Sequence, residues 1–499
     1  MDGIEHPILF PQFPNTLAWF NSPPLTPELL QGHLVVAYFW TSCCIHCQHL
    51  LTSLRKLEKK YKDASVIFLG IHSPKFPTET DDTHLKKTIE RYDIHHPVVN
   101  DPLLQLWQEL NIHTWPTLIV IGPNRSILFA SSGEGKTAEV DLLIEAAVIH
   151  YTLHQPSFVT PHPFPQHSSY LRFPTNIAID ETHQRLFIAD SGHHRIVICS
   201  MAGTVIDLIG NGHPGLVDDH FHRAQCHTPQ GIAYHKGKLY IADTNNHALR
   251  CADLNQNTLS TLSGNGHQSC DYRGGKQGTK QSLNSPWGLA LDYPRLWIAM
   301  AGTHQIWMYD IITQRSTNFS GTAQELHLDS DSAFSAAWAQ PSGLSLHHHH
   351  LFIADSESSS IRSIDLKTGK SITLAGGNPE NPYDLFAFGD LEGTSSTACF
   401  QHPLAILWVE PWKQLLIADT YNHRLKRLDP QSKILYSWIG NGTAGHHDGP
   451  LQEATFSQPS GLAFSKKSQC FFIADTNNHA VRVVDLSKHI VSTFLIKGL

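Results

Sequence analysis

Ile241-Ala-Asp-Thr-Asn-Asn-His-Ala-Leu249 decides the architecture of most of this chain, because variants of it occur five more times, at Ile188 to Ile196, Ile298 to Ile306, Ile353 to Ile361, Ile417 to Leu425 and Ile473 to Val481. The Asp positions fall at 190, 243, 300 (a Met), 355, 419 and 475, giving spacings of 53, 57, 55, 64 and 56 residues. In each copy an apolar strand ends at the Asp, a polar stretch turns the chain, and a second strand begins, as in a β-hairpin. Periods of this size with four short apolar runs apiece imply propeller blades, and six copies imply six of them. The repeated Asp is expected to cap the hairpin turn.

Most repeats are preceded by Pro-X-Gly (Pro229-Gln-Gly231, Pro286-Trp-Gly288, Pro341-Ser-Gly343, Pro459-Ser-Gly461), and several are followed by Gly-Asn-Gly. Both read as turns that separate strands. Arg195, Arg250, Arg362, Arg424 and Arg482 follow the hairpins at similar offsets and are expected to pair with the repeat aspartates or lie along the sheet. An axial calcium site built from the aspartates is disfavoured, because one recurs in five of the six blades. The 35 histidines, His347 to His350 and His446-His447 among them, lack paired carboxylates or thiolates and read as solvated loop residues.

Upstream of the repeats the pattern changes. Apolar strands at Leu34 to Phe39, Val66 to Ile71, Leu118 to Ile121 and Ile127 to Phe129 alternate with helical periods at Leu50 to Tyr61 and Leu103 to Leu110, which indicates an α/β domain. Cys44-Ile45-His46-Cys47 comes after the first strand and opens a helix. Helix N-terminal amides stabilise a thiolate, so Cys44 is the expected nucleophile and Cys47, one turn in, the resolving thiol. An imidazolium at His46 would stabilise the Cys44 thiolate further and make the disulfide a better oxidant.

The strand, the Cys-X-X-Cys helix and the Trp115-Pro116-Thr117 segment before Leu118 resemble thioredoxins, and residues 1–150 are similar to the thioredoxin-like fold of the TlpA and peroxiredoxin group. With Cys43-Cys44, Lys75-Phe-Pro77, Trp107-Gln-Glu109, Ile298 to Trp307, Gln340 to Leu344 and Leu385 to Asp390, nearly the whole chain resembles the NHL-repeat-containing protein 2 family. The resemblance implies a thioredoxin-like domain at 1–152, a linker at 153–170 marked by Pro156, Pro161, Pro163 and Pro165, and a six-bladed NHL-repeat β-propeller at 171–499. It also implies an extra strand and helix between Val66 and Asp101, and a cis-proline loop at Pro116 that, with Trp115, frames a groove for an extended substrate. Cys43 stands where thioredoxins have a tryptophan. Tyr38 stands where they have a buried carboxylate that relays protons to the resolving thiol. Peroxide reduction is disfavoured, since Ala37 replaces the proline of the peroxidase loop although Thr41 is in place. Animal members of the family carry a β-rich module after the propeller, and because this sequence ends at Leu499 no function of that module is expected of it.

Two functions fit these residues. One is a cytosolic thiol–disulfide oxidoreductase or redox sensor acting on protein thiols and disulfides, with Cys43 as an auxiliary thiol and the propeller as a platform for a protein partner. The other is a non-catalytic scaffold in which both folds serve docking. No cofactor and no metal are expected, since no second Cys-X-X-Cys completes a zinc site. A net charge of −8 argues against nucleic acid. Asp2, Glu5 and Pro7 break any leader pattern, no run of apolar residues is long enough for a membrane span, and nine cysteines without framework spacing fit a reducing, cytosolic setting.

Overall fold

The computed structural model describes residues 9–151 and 170–499, so the linker expected at 153–170 lies, apart from Tyr170, outside the described residues. The chain divides into two compact units, 1–167 and 168–499.

The first unit contains β1 (Trp19–Phe20), α1 (Pro27–Leu30), β2 (Leu34–Trp40), α2 (Ile45–Lys60), β3 (Val66–His72), α3 (Asp82–Arg91), β4 (Val98–Asn100), α4 (Gln105–Glu109), β5 (Thr117–Ile121), β6 (Ile127–Ser132) and α5 (Thr137–His150). The strands form one sheet in the order β1-β4-β3-β2-β5-β6, with β2, β3 and β4 parallel and the other pairings antiparallel. All seven residues of β2 are buried, which explains its unbroken apolar run. Val36, Tyr38 and Trp40 pack with Leu50, Leu54, Leu85, Ile89 and Ile144 of the helices, while Val35, Ala37 and Phe39 face a second core with Phe10, Leu30 and Leu106. β2 is therefore clamped on both faces, and the loop after Trp40 leaves the sheet from a rigid base.

Among its described residues the second unit forms six antiparallel sheets, each from four consecutive strands, and three gain a short fifth strand at the outer edge. Blade 1 comprises Pro174–Asp180, Arg185–Asp190, Arg195–Ser200 and Val205–Ile209. Blades 2 to 6 have their four main strands within 229–263, 286–320, 341–376, 405–439 and 459–493. The six-bladed propeller read from the repeats is present.

The repeat residues have separate tasks. Each Asp lies at 0% exposure at the end of a second strand. Asp190, Asp243, Asp355, Asp419 and Asp475 accept the backbone N–H of Arg172, His227, Ala339, Gln401 and Ser457, 16 to 18 residues earlier. The turn is held through side chains and not through its backbone N–H groups: Asp243, Asp355, Asp419 and Asp475 accept from Asn246, Ser358, Asn422 and Asn478, three residues on, and Asp190 meets His193 Nδ1 in the same way. The second carboxylate oxygen pairs with Arg195, Arg250, Arg362 and Arg482 at 2.7 to 2.9 Å. In blade 5 the partner is Lys426, whereas Arg424, expected to pair alike, reaches Asp390 instead. In blade 3 the pair becomes Met300 and Trp307, an apolar equivalent at the same two positions.

The next residues clasp neighbouring blades. Thr244, Ser356 and Thr420 donate their hydroxyls to the carbonyls of Pro286, Pro403 and Pro459 at 2.6 to 2.8 Å, and Ser191 does so to Pro229. His194, His247, His304 and His423 accept at Nδ1 the backbone N–H of Thr228, Ser285, Gln340 and Gln458, and Ser359 replaces the imidazole in blade 4. The repeat histidines thus differ from solvated loop residues: His304 and His423 are buried. Thr476 to Pro174 (2.8 Å) and Phe173 to His479 (3.2 Å) close the ring. Lys497 adds backbone bonds to Gly203 and Val205. Pro-X-Gly is likewise not a turn. Its glycine sits in the first strand, where a Cβ on Gly461 would meet Thr175 O at 2.5 Å and one on Gly343 would meet Leu404 O at 2.7 Å.

Removing one member of a buried ion pair strands the other charge and costs about 3–5 kcal/mol. Arg482→Met should lower unfolding stability of the propeller by that amount, and Arg424→Met, at a partly exposed pair, by about 0–1 kcal/mol. Copying blade 3, Asp475→Met with Arg482→Trp, should recover most of the loss; equal costs for the two arginines in urea titrations would contradict the assignment.

Burial, with His227 and Arg172 nearby, pushes the His194 imidazole down to about 4. It is neutral in the fold but protonates in the unfolded chain below about 6.5, so its contribution is intact above about pH 6.5 and is lost as pH falls from there towards 4. The urea midpoint should drop through this window, less steeply in His194→Ser, which copies Ser359 of blade 4.

Candidate redox site

Beyond Trp40 the chain turns through Thr41, Ser42 and Cys43 and enters α2 with Cys44 as its N-cap. The Cys44 sulfur accepts the Cys47 N–H at 3.4 Å, supplying a partner for one of the donors that a helix start leaves unsatisfied. Cys44 is half-buried, whereas Cys47 is 1% exposed. Burial pushes the Cys47 thiol far up, and its contact with Cys44 adds to this. The two sulfurs therefore differ: one is reachable at a helix N-terminus, the other is stored neutral beneath it.

Trp115–Pro116 is a cis peptide leading into β5. Because Phe39 pairs with Thr117 and Tyr38 with Leu118, Pro116 comes to the edge of the sheet where β2 runs out toward Cys44. Trp115 packs in the same cluster as Cys44 and Cys47 and lies 4.5 Å from the Trp107 ring. Cys44 and Trp115 thus both pack against the core cluster that contains Cys47, and Pro116 follows Trp115 directly into β5. His46 Nδ1 stands 3.2 Å from the Glu134 carboxylate, which His49 Nδ1 approaches at 2.5 Å. Burial opposes ionisation of Glu134, but the hydrogen bonds from His46 and His49 outweigh it and hold the carboxyl well below its usual range.

Cys43 is 3% exposed, with its sulfur 3.5 Å from Thr41 Oγ1. Its backbone N–H donates to Glu79 at 3.1 Å. Glu79 is fully buried after β3 and also accepts from Thr41 Oγ1 (2.7 and 2.8 Å), Ser42 Oγ, Lys75 N (2.8 Å) and Phe76 N (3.0 Å). Burial raises the cost of its charge, yet His72, His84 and these donors hold its pKa below the ordinary carboxylate value. One carboxylate thereby fixes the loop that presents both cysteines. Tyr38, at 0% exposure, hydrogen-bonds His96 Nε2 at 2.7 Å, and His96 Nδ1 meets Glu58 at 2.6 Å. Burial, then the charges of Glu58 and Cys47, push the Tyr38 phenol well up, so it remains a neutral hydroxyl.

Sequence reasoning does not single out Glu79, Glu134, His49, His96 or Glu58. Each acts through a partner 36 to 85 positions away or through a partner found only once the sheet is built. The one local signal is the Lys75-Phe-Pro77 turn, which places Glu79 two residues beyond its proline.

Among the described residues the central cavity of the propeller is lined by backbone and neutral side chains such as Thr175, Gln230, Trp287, Ser342, Leu404 and Ser460. No helix among the described residues is long and apolar enough to cross a membrane.

A family described as thioredoxin-like matches residues 32–127. The chain is 42% identical over 494 residues to Protein SUPPRESSOR OF QUENCHING 1, chloroplastic, of Arabidopsis thaliana, covering 96% of this chain but only 47% of that protein's length. It is 38% identical over 534 residues to NHL repeat-containing protein 2 of Bos taurus, covering 99% of this chain and 72% of the relative. Its first unit is also 24% identical over 104 residues, 21% of this chain and 56% of the other, to Thiol-disulfide oxidoreductase ResA of Halalkalibacterium halodurans. Sequence, blade count and near full-length similarity agree, and the chain belongs to the NHL repeat-containing protein 2 family.

Proposed function

We propose that the chain carries out thiol–disulfide exchange with protein substrates at Cys44 and Cys47, and that the propeller engages a protein partner. The observation that carries this reading is the unlike placement of the two thiols, Cys44 half-exposed at the N-cap of α2 and Cys47 buried one turn on. Similarity of the first unit to a protein named a thiol-disulfide oxidoreductase supports it.

The Cys44 thiolate attacks one sulfur of a substrate disulfide, forming a mixed disulfide and releasing the first substrate thiolate. Cys47 then loses its proton and attacks the Cys44 sulfur, releasing the second substrate thiolate. Two electrons pass to the substrate, and a Cys44–Cys47 disulfide remains; the reverse sequence oxidises a substrate dithiol. Trp115 and Pro116 border the approach to Cys44, and His46 biases the balance between its two states. Tyr38, packed in the same core cluster as Cys47, heads a hydrogen-bonded chain through His96 to Glu58, whose side chain is 26% exposed, and takes the place of a relay carboxylate for the Cys47 proton. Glu79 keeps Cys43 out of the exchange. The pair works in a reducing compartment such as the cytosol.

A scaffold reading is favoured by one observation: Tyr38 is itself no carboxylate, so resolution through it is slower than in an enzyme with a buried acid. Trapping separates the two. Alkylation with mass spectrometry across a glutathione gradient should yield a Cys44–Cys47 disulfide with a defined two-electron potential, and Cys47→Ser should accumulate a mixed disulfide at Cys44. An inert Cys44 with no such disulfide would leave the scaffold. Tyr38→Phe should slow resolution about ten- to a hundred-fold while leaving Cys44 alkylation unchanged.

Glu79→Gln sets a donor against the N–H and O–H groups that converge there. Hydrogen bonds to a charged group contribute about 1.5–3 kcal/mol each, so the first unit should lose at least about 2 kcal/mol. Cys43 should become alkylated in the folded protein; unchanged protection would show that Glu79 does not hold the loop.

A further inference from the structure

Residues three apart on a helix share one face, so His46 and His49 project from the same side of the first two turns of α2. The segment after β6 brings Glu134 to the same place, and one ligand atom from each of the three side chains lies within 4.8 Å of the others. We infer that His46, His49 and Glu134 form a binding site for a divalent transition-metal ion of the zinc class, separate from the cysteine pair.

Donor chemistry selects the ion. Two imidazoles and one carboxylate are a borderline set that suits zinc and its neighbours, whereas calcium and magnesium take oxygen ligands. Geometry fits with a small adjustment. An ion held at about 2.0–2.2 Å by each ligand in a tetrahedral arrangement spaces them about 3.3 Å apart. The His46–Glu134 pair stands at 3.2 Å already, and the His49–Glu134 pair needs to open from 2.5 Å. The ion would take the place of the protons now shared between each Nδ1 and the carboxylate. Side-chain exposures of 23% for His46 and 26% for Glu134 give solvent access, while His49, at 7%, is anchored. Three protein ligands leave one position open to water or a thiolate.

Binding itself does not depend on thiol exchange. Its consequence does rest on that reading: an ion on His46 removes the imidazole beside Cys44 from use and ties the reactivity of the thiol to the metal supply.

The test uses the reduced full-length chain and a Cys44→Ser/Cys47→Ser double variant, titrated with Co2+ for its visible spectrum and with Zn2+ by calorimetry. One equivalent should bind in both proteins, with a four-coordinate cobalt spectrum. His49→Ala and Glu134→Gln should each weaken it about ten-fold or more. Glu134→Gln keeps the side chain's size, so it decides the matter if His49→Ala melts at a lower temperature without metal. Binding that disappears with the cysteines, or that is unchanged in Glu134→Gln, places the ion elsewhere and overturns the proposal. Failure of the cysteines to form a disulfide, with metal binding intact, overturns only the exchange reading.

Discussion

A ring of separate sheets holds only if every blade fastens to the next, and this chain meets that requirement with a hydroxyl and an imidazole at fixed places in the repeat. Thr244 reaches forward to Pro286 and His247 to Ser285, and the pattern ends with Thr476 and His479 reaching back to blade 1. The imidazole must be neutral to accept the neighbour's N–H, which makes the ring sensitive to protonation. Behind the clasp of every blade but the third, the buried Asp holds the turn from within its own blade, so intrablade and interblade bonds share one hairpin. Blade 3 shows which part is negotiable: Met300 and Trp307 replace the ion pair and Ala301 the hydroxyl, yet His304 keeps its hold on Gln340. Geometry between blades is conserved within the molecule while the chemistry beneath it varies.

The thioredoxin-like unit solves a different problem, holding a reactive loop at the edge of a sheet. β2 is packed on both faces, and Glu79 gathers the backbone and side chains of Thr41, Ser42 and Cys43 around one carboxylate. Such a group is tolerable only with nearly all of its lone pairs occupied, as they are here. The resulting rigidity explains how two adjacent cysteines face different surroundings: Cys43 turns to Thr41 in the interior while Cys44 caps the helix.

The parts of this organisation that repeat are legible in the sequence. Six copies imply the propeller, the β2 run and the Cys-X-X-Cys imply the α/β unit, and Pro116 and Trp115 can be placed by resemblance. The reasons for the repeated residues are not legible, because a one-dimensional pattern shows that Asp, His and Gly occur at a hairpin and not which neighbour they meet. The pattern makes Asp243 a turn cap, and it does accept from Asn246 of the turn, but nothing in the pattern shows that it also receives an N–H from His227; it makes the glycine of Pro-X-Gly a turn, whereas that glycine lets two first strands approach. Arg424 shows the same limit at one residue: it lies five residues after Asp419, and the buried pair is made by Lys426 at seven, the offset of Arg250, Arg362 and Arg482 from their aspartates. Glu79 and Glu134 carry no period at all.

These assignments also restrict where the proposed protein partner can be recognised. The repeated Asp, Ser or Thr, His and Gly are occupied by the ring itself, and the central cavity offers no converging charge. Selectivity must then come from segments that differ between blades. The longest such departure among the described residues is the stretch between 377 and 404, which contains no regular strand and exposes Tyr383 at 78% and Leu391 at 59%. It also accounts for the widest repeat spacing, 64 residues between the aspartates of blades 4 and 5. The stretch divides between two roles: Asp390, Ala398, Phe400 and Gln401 belong to blade 5, meeting Lys426, the core and Asp419, while Tyr383 and Leu391 stay exposed, so the part of the segment that departs from the repeat is its solvent-facing portion.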